Sequence, residues 1–366
     1  MQLQFMAILQ PIIGHIPWIL EFDNKKNYFR SEIKKLRGQH QYKTLHLNVR
    51  RNDVLMDSLS QLGSKKCDEW KGKLDITFVK EDAVDAGGVT REWFSLLSKD
   101  MFNPGYALFK MSPHGNTYLP NAKSAIVPDH LKMFKFIGHI IGKALLDGFM
   151  LDCFFTKGMY KIMVGQPLNQ SDMDDLDPSY YKNIKWVLEN NCESLGLTFS
   201  YETDYFGKTE IKELVPSGST KQVNEQNKHE YVLMMCKAKL YDEIKPQVDN
   251  LLEGIYDIVP KYLISIFDYR ELELMISGLP DIDVADMKAN TEYVGYSKVS
   301  QVIQWFWEII ESFSQSERAE FLQFVTGTSR VPLGGFKNLQ GSSGQQKFQI
   351  QRDYGDADHL PKAHTW

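Results

Sequence analysis

Four thiols are the first groups in this 366-residue chain that covalent chemistry could use: Cys67, Cys153, Cys192 and Cys236. They form no Cys-x-x-Cys pair and no Cys/His cluster with zinc spacing, so neither a metal site nor a redox pair is expected. Cys153 lies in the apolar run Leu151-Asp-Cys-Phe-Phe155, and Cys236 follows Met234-Met235 on a helical pattern. Both read as buried, inert thiols. Cys67, beside Lys65 and Lys66, is the thiol best placed for a lowered pKa, although a structural or incidental role is the favoured reading. Asp85-Ala-Gly-Gly88 has the glycines of a phosphate loop but not the lysine and hydroxyl spacing, so no nucleotide cofactor is expected. The acidic run Asp172–Asp177 reads as a solvated helix start or loop. At the other end His364 and Thr365 stand directly before Trp366. Trp366 itself offers only an indole, which is no nucleophile.

The elements that must position these groups follow from periodicity. Asn24–Leu36 reads as a helix with Tyr28, Phe29 and Ile33 on one face. Thr90–Met101 follows a Gly-Gly turn, with Thr90 as its expected N-cap. Asp129–Leu146 carries Leu131, Phe134, Ile137, Ile141 and Leu145 at helical spacing, and Gly138 and Gly142 suit a close helix crossing. Leu45–Val49 and Leu74–Val79 read as strands. The apolar stretch Val248–Leu279 stops at Gly278-Leu279-Pro280. A polar stretch, Asp281–Ser297, then suggests a hinge near Asp286–Glu292. Beyond it the pattern is that of a smaller α/β unit, with helices at Val299–Phe313 and Ser316–Val325, the second capped by Ser316. A Gly/Ser loop at Gly341–Gly344 leads into a strand at Gln346–Arg352.

Composition bounds the function. With 43% hydrophobic and 24% charged residues the chain is a folded globular protein. A formal charge of −5 gives no reason to expect nucleic acid or an anionic membrane as the main partner. No apolar run is long enough to span a bilayer, and Met1–Leu20 reads as a buried lead-in segment. Few, scattered cysteines imply a reducing compartment, cytoplasm or nucleus.

Eight segments resemble, in order, the HECT family of ubiquitin ligases. They are Asp85-Ala-Gly-Gly-Val-Thr-Arg-Glu-Trp93, Phe102-Asn-Pro-Gly-Tyr-Ala-Leu-Phe109 and Phe134-Lys-Phe-Ile-Gly-His-Ile-Ile-Gly-Lys-Ala144, followed by Ile276-Ser-Gly-Leu-Pro280 and Asn290-Thr-Glu-Tyr293. Gln304-Trp-Phe-Trp307, Phe321-Leu-Gln-Phe-Val-Thr-Gly-Thr-Ser-Arg-Val-Pro332 and Leu360-Pro-Lys-Ala-His-Thr365 complete the set. The giant nuclear/cytoplasmic branch of the family looks closest. The resemblance implies an α+β, bilobal fold. After the lead-in 1–20 comes a large, mainly helical N-lobe, 21–285, whose subdomain at about 150–235 binds a ubiquitin-conjugating enzyme. A hinge at 286–292 joins it to a small α/β C-lobe, 293–366. The hinge placed from composition coincides with the family's lobe boundary.

It also implies site residues. In the family the Leu-Pro-x-x-His-Thr run is followed at once by the catalytic cysteine, then by a Phe-Asn segment and a final strand and helix. Here Trp366 holds the nucleophile's position and the given sequence stops, so a chain without the nucleophile or the end of its C-lobe is expected. His364 and Thr365 would flank the reactive atom. The conjugating-enzyme groove would be Tyr180, Ile184, Leu195, Leu197 and Tyr231, although Ile184 with Val187 and Leu188 also makes an ordinary buried helix face. A second ubiquitin would sit at Tyr106 and Phe206, positions that core packing explains as well. Partners are thus a ubiquitin-conjugating enzyme, ubiquitin and protein substrates. The alternative is a module that binds the first two and transfers nothing.

Overall fold

The computed structural model describes residues 17–38, 43–81, 87–113, 117–205, 208–278, 282–326, 331, 335–341, 344–354 and 360–363. In chain order the elements begin with α1 (Phe22–Arg37), β1 (Thr44–Val49), α2 (Val54–Leu62), α3 (Cys67–Trp70), β2 (Lys73–Phe78) and α4 (Gly88–Met101). Next come β3 (Phe109–Met111), β4 (Tyr118–Pro120), α5 (His130–Asp147), α6 (Lys157–Val164) and α7 (Pro178–Glu189). The hairpin β5 (Ser200–Tyr205) and β6 (Lys208–Glu213) precedes α8 (Lys228–Leu240), α9 (Lys245–Ile258), α10 (Lys261–Ile264) and α11 (Tyr269–Ser277). The remainder is α12 (Val284–Ala289), β7 (Thr291–Val294), α13 (Gln301–Ser312), α14 (Gln315–Thr326), β8 (Gln340–Gly341), β9 (Gly344–Gln345) and β10 (Phe348–Gln351). The fold is α+β, with every sheet two-stranded among the described residues.

The chain divides into two compact units, the first of residues 1–35, 101–142 and 154–272, the second of 36–100, 143–153 and 273–366. In the first unit α1 buries Tyr28, Phe29 and Ile33, the face its periodicity predicts. Phe29 meets Phe267 edge-to-face at 5.4 Å, and Lys25 pairs with Glu271 at 2.7 Å. The two glycines of α5 do what their spacing suggests. A Cβ on Gly138 would lie 2.1 Å from the Leu251 carbonyl oxygen, and one on Gly254 would lie 2.0 Å from that of Lys135. Only glycine at both positions lets α5 and α9 approach so closely. His139 Nε2 to Asp257 (3.0 Å) and Lys135 to Glu253 (2.7 Å) tie the same crossing.

The second unit holds the parallel pair β1–β2, whose buried residues alternate: Leu45, Leu47 and Val49 on one strand, Leu74, Ile76 and Phe78 on the other. Trp93 of α4 is fully buried and donates its indole N–H to Ser58 Oγ at 2.9 Å. A separate apolar cluster runs from Ile282 to Phe348 and includes Ile303, Trp307, Ile310, Leu322 and Phe336. Strands β7 and β10 pair in parallel beside it, Thr291 opposite Phe348.

Two local expectations change, both helix caps. Helix α4 starts at Gly88, so Thr90 is a buried residue of its first turn and not its cap; the Arg91 N–H already bonds the Gly87 carbonyl. Helix α14 is capped by Ser314, not Ser316. Ser314 Oγ accepts from the Glu317 N–H at 3.3 Å and the Glu317 carboxylate accepts from the Ser314 N–H at 2.8 Å, a reciprocal capping box. The polar stretch around 286–292 carries the end of α12 and the start of β7. Val284, Met287 and Thr291 are buried there, and Asp283 caps α12 by accepting from the Ala285 and Asp286 N–H groups.

Candidate functional site

The segment from Gln170 to Leu240 builds its own small core within the first unit: Met173, Ile184, Val187, Phe199, Val223, Tyr231, Val232 and Met235, with the thiols of Cys192 and Cys236. Its helix α7 starts where the sequence dictates. Asp177 accepts from the Tyr180 N–H at 2.9 Å, and Pro178 follows at the first helical position, where a missing N–H costs nothing. One turn earlier Asp172 reaches back to the Asn169 N–H at 2.9 Å. Asp172 is completely buried and paired with Lys161 at 2.7 Å and Lys157 at 3.3 Å. The acidic run is a helix start, as expected, at Asp177, which is exposed and caps α7, but Asp172 departs from the solvated reading as a buried internal anchor.

The five groove positions separate by exposure. Ile184 is 4% exposed and Tyr231 is 8% exposed, both inside the core. Tyr231 packs edge-to-face on Phe199 at 5.5 Å. Tyr180 and Leu197 are half-buried against the same core. Leu195 stands apart, 49% exposed on the 3-10 turn Glu193–Leu195, which Gly196 closes with a φ of +62°. Burial raises the Tyr180 hydroxyl pKa, and that of Tyr231 is raised by burial against an opposing hydrogen bond with Tyr180. The two phenols are neutral, adjacent and fixed. Four of the five residues thus share one core, and Leu195 is an exposed apolar side chain outside it.

The subdomain exposes three more large apolar side chains: Trp186 on α7, Leu233 on α8 and Ile211 on β6. Sequence reasoning passed over them. For Trp186 the signal was present, because it lies two residues from Ile184, on the helix side that periodicity turns to water. Tyr106 is half-buried on the 3-10 turn Pro104–Tyr106, where the Asn103 side chain accepts from the Gly105 N–H at 2.9 Å. Phe206 lies outside the described residues, as do His364, Thr365 and Trp366. Leu360, at the start of the same run, is described and fully solvent-facing.

All four cysteines are free. Burial raises the pKa of Cys153 well above the usual thiol range, raises that of Cys192, and pushes Cys236 up to about 11. Cys67 alone is exposed, at the first position of α3; neighbouring Lys65 pairs with Glu69 at 3.3 Å. Among the described residues no cluster of three or more His, Cys, Asp or Glu side chains is poised to hold a metal. No described helix is long and apolar enough to cross a membrane.

The model of the HECT-domain (ubiquitin-transferase) family matches residues 95–365, and the chain belongs to that family. Among curated relatives it is similar to the E3 ubiquitin-protein ligase TOM1-like of Neurospora crassa, 50% identical over 354 residues, 95% of this chain and 9% of that protein. It is also similar to the E3 ubiquitin-protein ligase UPL2 of Arabidopsis thaliana, 47% identical over 357 residues, 95% of this chain and 10% of the relative. The E3 ubiquitin-protein ligase HUWE1 of Mus musculus is 47% identical over 350 residues, 95% of this chain and 8% of the relative. The chain spans about a tenth of the length of the curated relatives it matches.

Proposed function

We propose that this chain carries out the docking half of a ubiquitin thioester relay. A ubiquitin-conjugating enzyme binds the subdomain at Leu195, with Tyr180 and Leu197 beside it and Ile184 and Tyr231 supporting them from beneath. The smaller lobe, residues 293–366 beyond a hinge at 286–292, presents the loop Leu360–Thr365. In the relay the nucleophile's thiolate attacks the thioester carbonyl of the charged conjugating enzyme. Ubiquitin moves to the new sulfur, the conjugating enzyme's thiolate leaves, and a substrate lysine amine later takes ubiquitin as an amide. A thiolate suits this exchange because trading one thioester for another is close to energy-neutral. His364 and Thr365 order the loop at the reactive position. A second ubiquitin rests near Tyr106 and Phe206. The reducing cytoplasm or nucleus is the setting.

For this chain Trp366 favours a second reading, binding without transfer. The indole at 366 has no lone pair free for attack on a carbonyl. The observation that carries the docking reading is Leu195, a large apolar side chain 49% exposed on the turn that leads through Leu197 and Phe199 into the subdomain's packed core. The test incubates the unaltered chain with activating enzyme, ubiquitin-charged conjugating enzyme and ATP, and reads both complex formation and a non-reducing gel. Complex formation without a thiol-sensitive ubiquitin adduct is expected. A reducible adduct on the unaltered chain would overturn the claim of transfer incompetence, with Cys67→Ser the first follow-up. Absence of any complex with a panel of conjugating enzymes would overturn the docking assignment.

A further inference from the structure

Two helices of the second unit, more than two hundred residues apart in sequence, meet through polar groups. On α4 Arg91 and Ser95 are four residues apart and share a face. On α14 Gln323 and Thr326 are three apart, in its last turn. Arg91 Nη1 donates to the Thr326 carbonyl at 3.0 Å. Gln323 Nε2 donates to Ser95 Oγ at 3.1 Å, and Ser95 Oγ donates to Asp152 Oδ2 at 3.2 Å.

The chemistry of the seam is specific. Thr326 is the final residue of α14, where carbonyls lose their intrahelical partners and the helix dipole presents its negative end. A guanidinium there satisfies an orphan acceptor and complements that field. The contact also withdraws Arg91 from water, which disfavours its charge and lowers its pKa. The other face of α14 packs Ala319, Phe321, Leu322 and Val325 onto the apolar core built on Ile282–Phe348, so the helix moves with that core. An apolar seam resists opening because water cannot replace what is lost. Every donor and acceptor in this one finds a substitute in water, so the net cost of opening is small.

We propose that Arg91, Ser95 and Gln323 form a polar latch that holds α14, and the apolar core built on Ile282–Phe348 with it, in one position and lets it go as a unit. This rests on the relay reading, in which the lobe carrying the 360–365 loop must occupy more than one position. The latch sets the balance between them, with Arg91 as a positioning residue.

The test needs no ubiquitin machinery. Spin labels go on the native exposed Cys67 and on Glu320→Cys of α14, while the buried thiols stay unlabelled. Pulsed dipolar spectroscopy on the full chain then reads the distance. A single narrow distance is expected for the labelled parent. Arg91→Ala and Gln323→Ala each add a second population, and hydrogen exchange across Gln315–Thr326 speeds up roughly tenfold or more. Arg91→Lys, which keeps a cationic donor, stays close to the parent. Parent-like distances in both alanine variants would overturn the latch, and so would equal effects of Arg91→Ala and Arg91→Lys. If Arg91→Ala fails to fold, Gln323→Ala, which removes only a half-buried amide, decides alone. Affinity for a conjugating enzyme is measured beside it and stays unchanged in these variants. Loss of all such binding in the parent chain would sink the docking reading and leave the distance result standing.

Discussion

Truncating Leu195 and Ile184 in turn separates docking from packing. The two side chains have nearly the same volume and belong to the same subdomain, but Leu195 is 49% exposed and Ile184 is 4% exposed. About half of a leucine side chain is therefore available to a partner. Covering roughly 80 Å² of it at about 25 cal/mol per Å² stabilises a complex by about 2 kcal/mol. Leu195→Ala should then weaken conjugating-enzyme binding by about 1–2 kcal/mol, roughly 5- to 30-fold, while the free chain melts as before. Ile184→Ala removes carbon from a closed core and leaves a cavity, so its cost falls on folding, about 2–5 kcal/mol. Titration calorimetry reads the first quantity and urea denaturation the second. The reasoning fails if Leu195→Ala binds with parental affinity. It also fails if Leu195→Ala destabilises the chain as much as Ile184→Ala does, because Leu195 would then be core.

Two further substitutions probe the frame that holds the subdomain. Gly138→Ala places a Cβ about where the Leu251 carbonyl oxygen now sits, 2.1 Å away, so α5 and α9 must part; a loss of about 3 kcal/mol is expected by urea melt. Lys143 is fully buried, bonded to the Gly72 carbonyl and 3.0 Å from Asp147, a carboxylate it shares with Arg37. Burial and then repulsion from Arg37 bring its pKa down to about 7. The unfolded chain therefore holds the extra proton between pH 7 and the ordinary lysine range. The penalty for burying the charge is complete below pH 7 and is relieved as pH rises through that window, so stability should climb from pH 7 towards 10. Lys143→Met should flatten that rise, and an equal slope in the variant would refute the assignment.

How far the sequence could be read depended on what each residue's neighbours were. Helix α5 was legible because Phe134, Ile137, Ile141 and Leu145 recur at helical spacing, and its glycines announced a close crossing. Which helix crosses there was not legible, since Gly254 lies over a hundred residues away and carries no mark of its own. Thr90 misled because a cap was sought after the Gly-Gly turn, whereas the helix begins inside it. Asp172 misled because its counter-charges, Lys157 and Lys161, come from α6. Around 286–292 the polar majority hid a few buried residues, Val284, Met287 and Thr291, that short elements need. For the groove, the sequence supplied the helix and the residue types. Only the packed chain separates Leu195 at the surface from Ile184 beneath it.

The remaining thiols bear on where acyl chemistry can happen in such a chain. Cys236, with a pKa of about 11, holds on the order of 10⁻⁴ of its thiol as thiolate at pH 7. Cys153 is pushed further and is completely buried, and Cys192, also buried, is shifted in the same direction. Burial thus acts on these three groups twice, lowering nucleophilicity and denying access to a partner as large as a ubiquitin-charged enzyme. None of the three is placed to accept an acyl group from such a partner. Cys67 differs in lying exposed at the first position of α3, and no His-Thr pair precedes it in the sequence. Burial alone is thus enough to keep Cys153, Cys192 and Cys236 out of acyl exchange with a protein partner.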